Sequence, residues 1–330
     1  MNLVLNVINA YWELVFARED LKAKQKSLQA AEDFLRNIKI KVAAGALAEL
    51  EIVRAQARAA ERQEAIVTAA AKIKDAEDRL RQLFGSPDFP LLSIAEINPA
   101  DQPTVHAQRL DLASSVNYAL STLPEVRTQL IQIESADLIV ARNRHLLLPQ
   151  LDLTATYLIN GLADTRNESI EVVSTMDEAQ GSLGLRFSVP LGNRSARGTY
   201  TESRYQRLQT LTNYAATERD VTLSVKKAIR DVNTTLQSVT TNRVRVQASQ
   251  QQLEAEQNKY AVGQNISLDV LDAQEALQQA ESALIASIVN FNKAMANYYR
   301  QTGRILSVNS IRIQPPAAIT TGPDNVKLFP

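Results

Sequence analysis

The amino-acid sequence predicts a mainly α fold with one β-hairpin, in which long helices pair as antiparallel coiled coils. A seven-residue apolar repeat runs through two long stretches of the chain, and this period is typical of coiled coils. The two stretches match one another position by position without a gap, so they form an internal repeat. Between them lie two segments that alternate apolar and polar residues, as half-buried strands do.

The internal repeat is clearest in its heptad positions. In the first copy these are Val7, Leu14, Leu21, Leu28, Leu35, Val42, Ile52, Ala59, Ile66, Ile73 and Leu80, and in the second Val225, Val232, Val239, Val246, Leu253, Tyr260, Val270, Leu277, Leu284, Phe291 and Tyr298. Each copy breaks at a glycine (Gly45 or Gly263) and ends at another (Gly85 or Gly303). A strict seven-residue period keeps one apolar seam against a partner only if the helices supercoil left-handed, which predicts two helical hairpins.

Six segments follow from these patterns. In chain order they are a first helical hairpin at 1–85, a proline-rich connector at 86–110, a helix capped by Asp111 at 111–148, a β-hairpin at 149–192, a second helical hairpin at 193–303, and an extended or disordered tail at 304–330. The long helices are expected at 3–42, 48–83, 195–262 and 268–300. Because helical residues and a strand pair precede only the second copy, we expect the chain to be truncated at its N-terminus.

The β-hairpin carries one apolar face on each strand. These faces hold Leu151, Leu153, Ala155, Tyr157 and Ile159, and then Leu183, Leu185, Phe187, Val189 and Leu191. Strands of about ten residues match the length of a tilted membrane-spanning β-strand. The alternation is equally typical of an ordinary sheet edge packed on helices, and two strands alone would leave open edges that lipid does not tolerate. Both interpretations stay open on the alternation alone.

Composition and motifs narrow the classes of function. The formal net charge is zero, with 36 basic and 36 acidic side chains, so no global field attracts nucleic acid. The chain has no cysteine, which excludes disulfides and thiolate metal sites. It also lacks a nucleotide-binding loop, a nucleophile elbow and metal-ligand spacing, and its two histidines, His106 and His145, are far apart. We therefore expect no catalytic residue, no cofactor and no metal.

Two acidic residues just after the second helical break form a candidate site. Asp269 and Asp272 are three positions apart and so share one helical face, where the first copy has Glu51 and Arg54. The helix dipole favours acids near a helix N-terminus, and this is one sufficient explanation for them. In a symmetric oligomer the same acids would form a charged ring, which is a selectivity device in pores.

Four stretches carry a resemblance to a known family. They are residues 260–274, their weaker copy at 42–56, the entry into the first strand at 148–153 and the exit from the second at 187–191. On these residues the chain resembles the TolC-like outer-membrane efflux channels. The resemblance implies a homotrimer whose long helices form a periplasmic α-barrel tunnel and whose strands contribute to a transmembrane β-barrel in outer-membrane lipid. The connector would then belong to an equatorial belt around the tunnel.

The resemblance also implies roles for residues near the two breaks. Asp269 and Asp272 match the aspartates that ring the pore entrance of the family. Tyr260 matches a gate tyrosine, and Glu51 matches its acidic partner. A second family link pairs an arginine with a threonine, and here those positions hold Asn265 and Leu50. The tip residues expected to dock a periplasmic adaptor are Gly45, Ala46, Leu47, Gly263, Gln264, Asn265 and Ser267.

The implied function is that of a passive channel component in a tripartite efflux or type I secretion system. The protein would dock to a periplasmic adaptor (membrane fusion) protein and work with an inner-membrane transporter that supplies the energy. The alternative is a soluble periplasmic coiled-coil structural or adaptor protein. An adaptor would carry β-barrel and lipoyl-like strand segments beside one coiled coil, and these are missing. An enzyme ranks third because no catalytic motif is present.

Overall fold

The computed structural model describes residues 1–85, 90–92, 95–106, 108–159, 173 and 179–312. Its elements are, in chain order, α1 (Asn2–Ala43), α2 (Glu49–Phe84), α3 (Leu112–Thr122), α4 (Pro124–His145), β1 (Gln150–Ile159), β2 (Ala179–Ser188), α5 (Arg194–Ala261), α6 (Ser267–Gln301) and α7 (Ile305–Val308). The predicted mainly α fold with one β-hairpin is confirmed. Each of the four long helices begins and ends within one residue of the predicted position.

The chain divides into two compact units. The first contains Met1–Leu123 and Asp220–Pro330, and the second contains Pro124–Arg219. Helix α5 contributes to both units. None of the helices in the described ranges combines the length and hydrophobicity needed to cross a membrane.

In the first unit, the heptad seam is the packing surface. Every heptad position named above is buried or half-buried. Leu14 of α1 and Leu80 of α2 are 0% and 2% exposed and pack in one cluster with Ile73. A second cluster joins Ile38 of α1 to α2 and α6. The seam predicted from the seven-residue period therefore holds the helices together.

Both helical breaks have the same backbone geometry. Gly45 and Gly263 adopt φ values of 74° and 75°, a left-handed conformation that favours glycine. In each break the glycine N–H donates to a carbonyl three residues earlier, and the next N–H donates to a carbonyl five residues earlier. This pair of bonds defines a Schellman cap, which satisfies the last carbonyls of the helix. The internal repeat is thus preserved in the backbone.

Charged contacts attach the connector to the first helical hairpin. Glu77 of α2 is 1% exposed, and its Oε1 lies 3.0 Å from Arg18 Nη2 and accepts the Ile97 N–H at 3.1 Å. Tyr11 of α1 donates its hydroxyl hydrogen to Asp101 at 2.7 Å. The described residues between Gly85 and Asp111 form no helix or strand.

Two predictions about segment structure were wrong. The helix expected over 111–148 is divided at Leu123, whose ψ of 129° is extended because the following Pro124 disfavours a helical conformation in the residue before it. The predicted cap at Asp111 is confirmed, since its carboxylate accepts the Ser114 N–H at 2.7 Å. The tail is not wholly extended, because α7 forms at its start and buries Ile305 completely. Residues 313–330 lie outside the described ranges.

The second unit contains the β-hairpin. Strands β1 and β2 pair antiparallel with Leu151 opposite Phe187 and Leu153 opposite Leu185, so the apolar faces of both strands coincide. These side chains are 64–71% exposed in the single chain. Strand β2 ends earlier than predicted, at Ser188 and not at Leu191, close to Pro190, which has no N–H for a ladder. Most of the connecting loop lies outside the described residues.

The heptad seam predicts a stability difference between two leucines of α2. Leu80→Ala should lower the free energy of unfolding by about 2–5 kcal/mol, because it removes buried methyl groups and leaves a cavity. Leu50→Ala is the matched control, since Leu50 is 56% exposed and its loss should cost less than about 0.5 kcal/mol. Urea unfolding in detergent, followed by helical circular dichroism, measures both. Equal losses would contradict the seam.

Candidate functional site

The candidate site lies where the two helical breaks come together at one end of the first unit. Leu47, in the first break, packs with Ile38, Ala55 and Leu271, which come from α1, α2 and α6. A neighbouring cluster contains Tyr260 at the end of α5 and Val270 at the start of α6. Residues that are more than two hundred positions apart in sequence therefore share one tip.

Glu51 of α2 is fixed by two polar contacts at this tip. The Ser267 hydroxyl donates to one carboxylate oxygen of Glu51, and Arg54 Nη1 lies 2.9 Å from the other. Ser267 is only 1% exposed. This burial removes Ser267 from the exposed docking surface on which the sequence analysis placed it. Glu51 instead links the start of α2 to the start of α6.

Tyr260 is held by aromatic and cationic neighbours. Its ring centroid lies 5.4 Å from that of Phe34, and Lys41 Nζ lies 4.1 Å above the ring. The hydroxyl is buried and has no hydrogen-bond partner within the described residues, so the expected bond to Glu51 is not formed inside one chain. Burial raises the pKa of Tyr260, and the negative charge of Glu51 adds to the effect. Both groups nevertheless lie at the same tip.

Asp269 and Asp272 line one open groove, together with Glu256, Lys259 and Asn265. Asp269 lies in the first turn of α6, where the helix dipole favours an acid. It forms no ion pair within the described ranges. The same ranges hold no group of three or more acidic or histidine side chains arranged to bind a metal ion. In this groove Asp272 is exposed to solvent and Asp269 is half-buried.

Asp272 has a partner that the sequence analysis missed. Arg58 Nη2 lies 3.0 Å from Asp272 Oδ1, and Arg58 Nη1 lies 3.4 Å from Glu275 and 3.0 Å from Glu61. The pKa of the Arg58 guanidinium is raised, mainly by the hydrogen bond to Glu61, so the group stays charged. Asp272 thus faces a permanent cation on the neighbouring helix.

Arg62 is a second missed residue. Its guanidinium donates to Gln274 Oε1 at 3.1 Å, to the Leu271 carbonyl at 3.2 Å and to the Ser27 carbonyl at 3.1 Å. These bonds join α2 to α6 and α1. Burial lowers the pKa of Arg62. The signal in the sequence was the spacing of Glu51, Arg58 and Arg62, which places three charged residues on one face of α2.

The remaining tip residues are more accessible. Gly45, Ala46, Gly263 and Gln264 are exposed, and Leu47 and Asn265 are half-buried. The Asn265 amide donates to Glu256, and its carbonyl oxygen accepts the Ile266 N–H at 2.9 Å. Asn265 therefore stabilises the break in which it lies.

Sequence comparisons agree with this architecture. The family described as "Outer membrane efflux protein" matches residues 1–86 and 116–303. The outer membrane protein TolC of Escherichia coli is 24% identical over 98% of this chain. The outer membrane efflux protein BepC of Brucella suis is 24% identical over 92% of the chain. The chain spans 66% and 64% of the lengths of these two relatives.

Solved structures share the fold. The CmeC outer membrane channel of Campylobacter jejuni superposes with a TM-score of 0.73 and 16% identity, over 92% of this chain and 63% of that one. The MtrE outer membrane channel of Neisseria gonorrhoeae, solved in its open state, superposes with a TM-score of 0.72 and 17% identity, over 92% of this chain and 66% of that one. The architecture of long helices with a β-hairpin is therefore that of outer-membrane channels.

The bonds of Arg62 predict how much it stabilises the tip. Arg62→Ala should lower the free energy of unfolding by about 2–3 kcal/mol, because three partly buried hydrogen bonds from a charged donor are lost. Arg58→Ala is the matched control one turn earlier. Its ion pairs are partly exposed, and the loss should be about 1 kcal/mol or less. Chemical denaturation of both variants tests the difference, and a larger loss in the Arg58 variant would contradict it.

Proposed function

The chain belongs to the outer membrane efflux protein family, and on this premise we propose that it is the outer-membrane channel component of a tripartite efflux or type I secretion system. The observation that carries the proposal is the family match over both helical hairpins and the β-hairpin between them. In this function the protein is a passive conduit and not an enzyme. An inner-membrane transporter supplies the energy.

The proposed assembly is a homotrimer in the outer membrane. The apolar face shared by β1 and β2 is exposed in the single chain, as expected for strands that contact lipid in a closed β-barrel. The long helices of the copies would complete a periplasmic tunnel. In this arrangement the connector belongs to the belt around the tunnel.

The proposed periplasmic entrance is the tip formed by the two helical breaks. Threefold symmetry would bring Asp269 and Asp272 of each copy around one opening, where their fields add and favour cations. Tyr260 and Glu51 would help to hold this entrance shut. The hydroxyl of Tyr260 is buried and lacks a partner within the described residues, so it would gain one only when a neighbouring helix moves.

The exposed part of the tip is the proposed docking surface for a periplasmic adaptor protein. It comprises the exposed residues Gly45, Ala46, Gly263 and Gln264 and the half-buried residues Leu47 and Asn265. Both breaks have the same cap geometry, so one type of adaptor surface could contact both. We propose the adaptor and the inner-membrane transporter as the partners of this protein.

The membrane function predicts opposite tolerances on the two faces of β2. Leu185→Arg should lower the stability of the assembled barrel by about 2–4 kcal/mol, because it places a charge against lipid near mid-bilayer. Ser188→Arg is the control on the opposite face, and its cost should be small. Guanidinium unfolding from lipid vesicles measures both. Equal tolerance of the two substitutions would contradict lipid exposure of the apolar face.

Docking at the tips predicts a transport defect without an assembly defect. Gly263→Pro cannot adopt the φ of 75° that the cap requires, so it should distort the tip and abolish export of a fluorescent substrate from cells. The trimer should still reach the outer membrane. Gly198→Ala is the control, since Gly198 lies within α5 with open space around it. Normal export by the proline variant would rule out the docking role.

A further inference from the structure

Arg58 is a charged residue beside the acids of the proposed entrance, and the family resemblance assigned no role to it. Its guanidinium lies 3.0 Å from Asp272 and 3.4 Å from Glu275, both on α6. Asp269, one turn before Asp272, has no ion pair within the described ranges. One acid of the entrance pair is therefore compensated by a fixed cation, and the other is not.

Arg58 is also the middle of three polar links between α2 and α6. Before it along α2, Glu51 accepts a hydrogen bond from Ser267, and after it Arg62 donates to Gln274 and to the Leu271 carbonyl. The three α2 residues share one face of the helix. Only the Arg58 link includes an entrance acid, so it alone couples contact between the helices to the charge of the opening.

We propose that Arg58 is a latch that sets the charge of the entrance. While α6 lies against α2, Arg58 offsets part of the negative charge of Asp272 and Glu275, and Asp269 has no ion pair within the described residues. When α6 moves away, the ion pair breaks and both carboxylates act on the conduction path. Opening of the entrance and a rise in its negative charge are then a single event. This inference rests on the proposed function, because only in a channel do these acids surround a path for ions.

Single-channel recording in planar bilayers, with a KCl gradient across the membrane, tests the latch. It yields the conductance and the cation-over-anion permeability ratio of the purified protein. Arg58→Gln keeps a polar side chain at this position and removes its charge. The permeability ratio should rise severalfold because Asp272 loses its cation, and the conductance should rise because the latch is lost. An unchanged permeability ratio overturns the proposal.

Further variants separate charge from contact. Arg58→Gln combined with Asp272→Asn should return the permeability ratio to near the wild-type value while conductance stays high, since Asp269 remains and the link does not. Asp272→Asn alone should lower the ratio below wild type. Arg79→Gln is the matched control, because Arg79 lies towards the other end of α2 and pairs with Glu13 at 3.2 Å. A double variant as cation-selective as the Arg58 single variant overturns the proposal.

Failure of the latch is distinguishable from failure of the proposed function. If the wild-type protein conducts with a preference for cations and Arg58→Gln changes nothing, only the latch is wrong. If the wild-type protein forms no channel, the proposed function is wrong and the latch with it. If Arg58→Gln does not assemble, the charge swap Arg58→Glu with Asp272→Arg is used in its place. The swap re-forms the ion pair, so its conductance should equal that of the wild-type protein. A swapped pair with raised conductance overturns the proposal.

Discussion

A narrow apolar seam must stay covered along every long helix, and the rest of the structure depends on this constraint. The seam can be covered over such lengths only if the helices lie side by side with a seven-residue register. Small residues make close approach possible, and Ala10, Ala55 and Ala69 are almost completely buried between helices. Because the seam is narrow, each helix keeps a broad polar surface. This surface remains available for water and, in the proposed trimer, for other copies.

At the tip, polar contacts between helices are added to the apolar seam. The chain reverses direction at glycines with positive φ, and beyond them α2 and α6 are linked by Glu51, Arg58 and Arg62. A partly exposed ion pair exchanges its partner for water at little cost, whereas an apolar contact does not. The ion pair between Arg58 and Asp272 is therefore a contact at the tip that can break at small cost. This property suits an entrance that opens.

The connector is attached to the helices through a buried charge, whereas the ion pair at the tip is partly exposed. Glu77 is almost inaccessible to water, and an isolated carboxylate in that position would be strongly destabilising. It is compensated by Arg18 and Arg81 and by the Ile97 N–H, which belongs to the connector itself. The connector thus adds a hydrogen bond to a charge that the helices alone leave partly unsatisfied. Its position on the helical hairpin is specified by this requirement.

The sequence by itself determined the long helices, their breaks and the apolar face of the hairpin, because period and glycine placement are local properties. It missed the break at Leu123, where a helical pattern continues across a proline that interrupts the backbone. Only the tertiary structure decided the partners of the charged residues. Within the chain, Glu51 accepts a hydrogen bond from Ser267, and Asp272 pairs with Arg58. Long charged side chains reach several partners, so the choice depends on which helices the fold brings together.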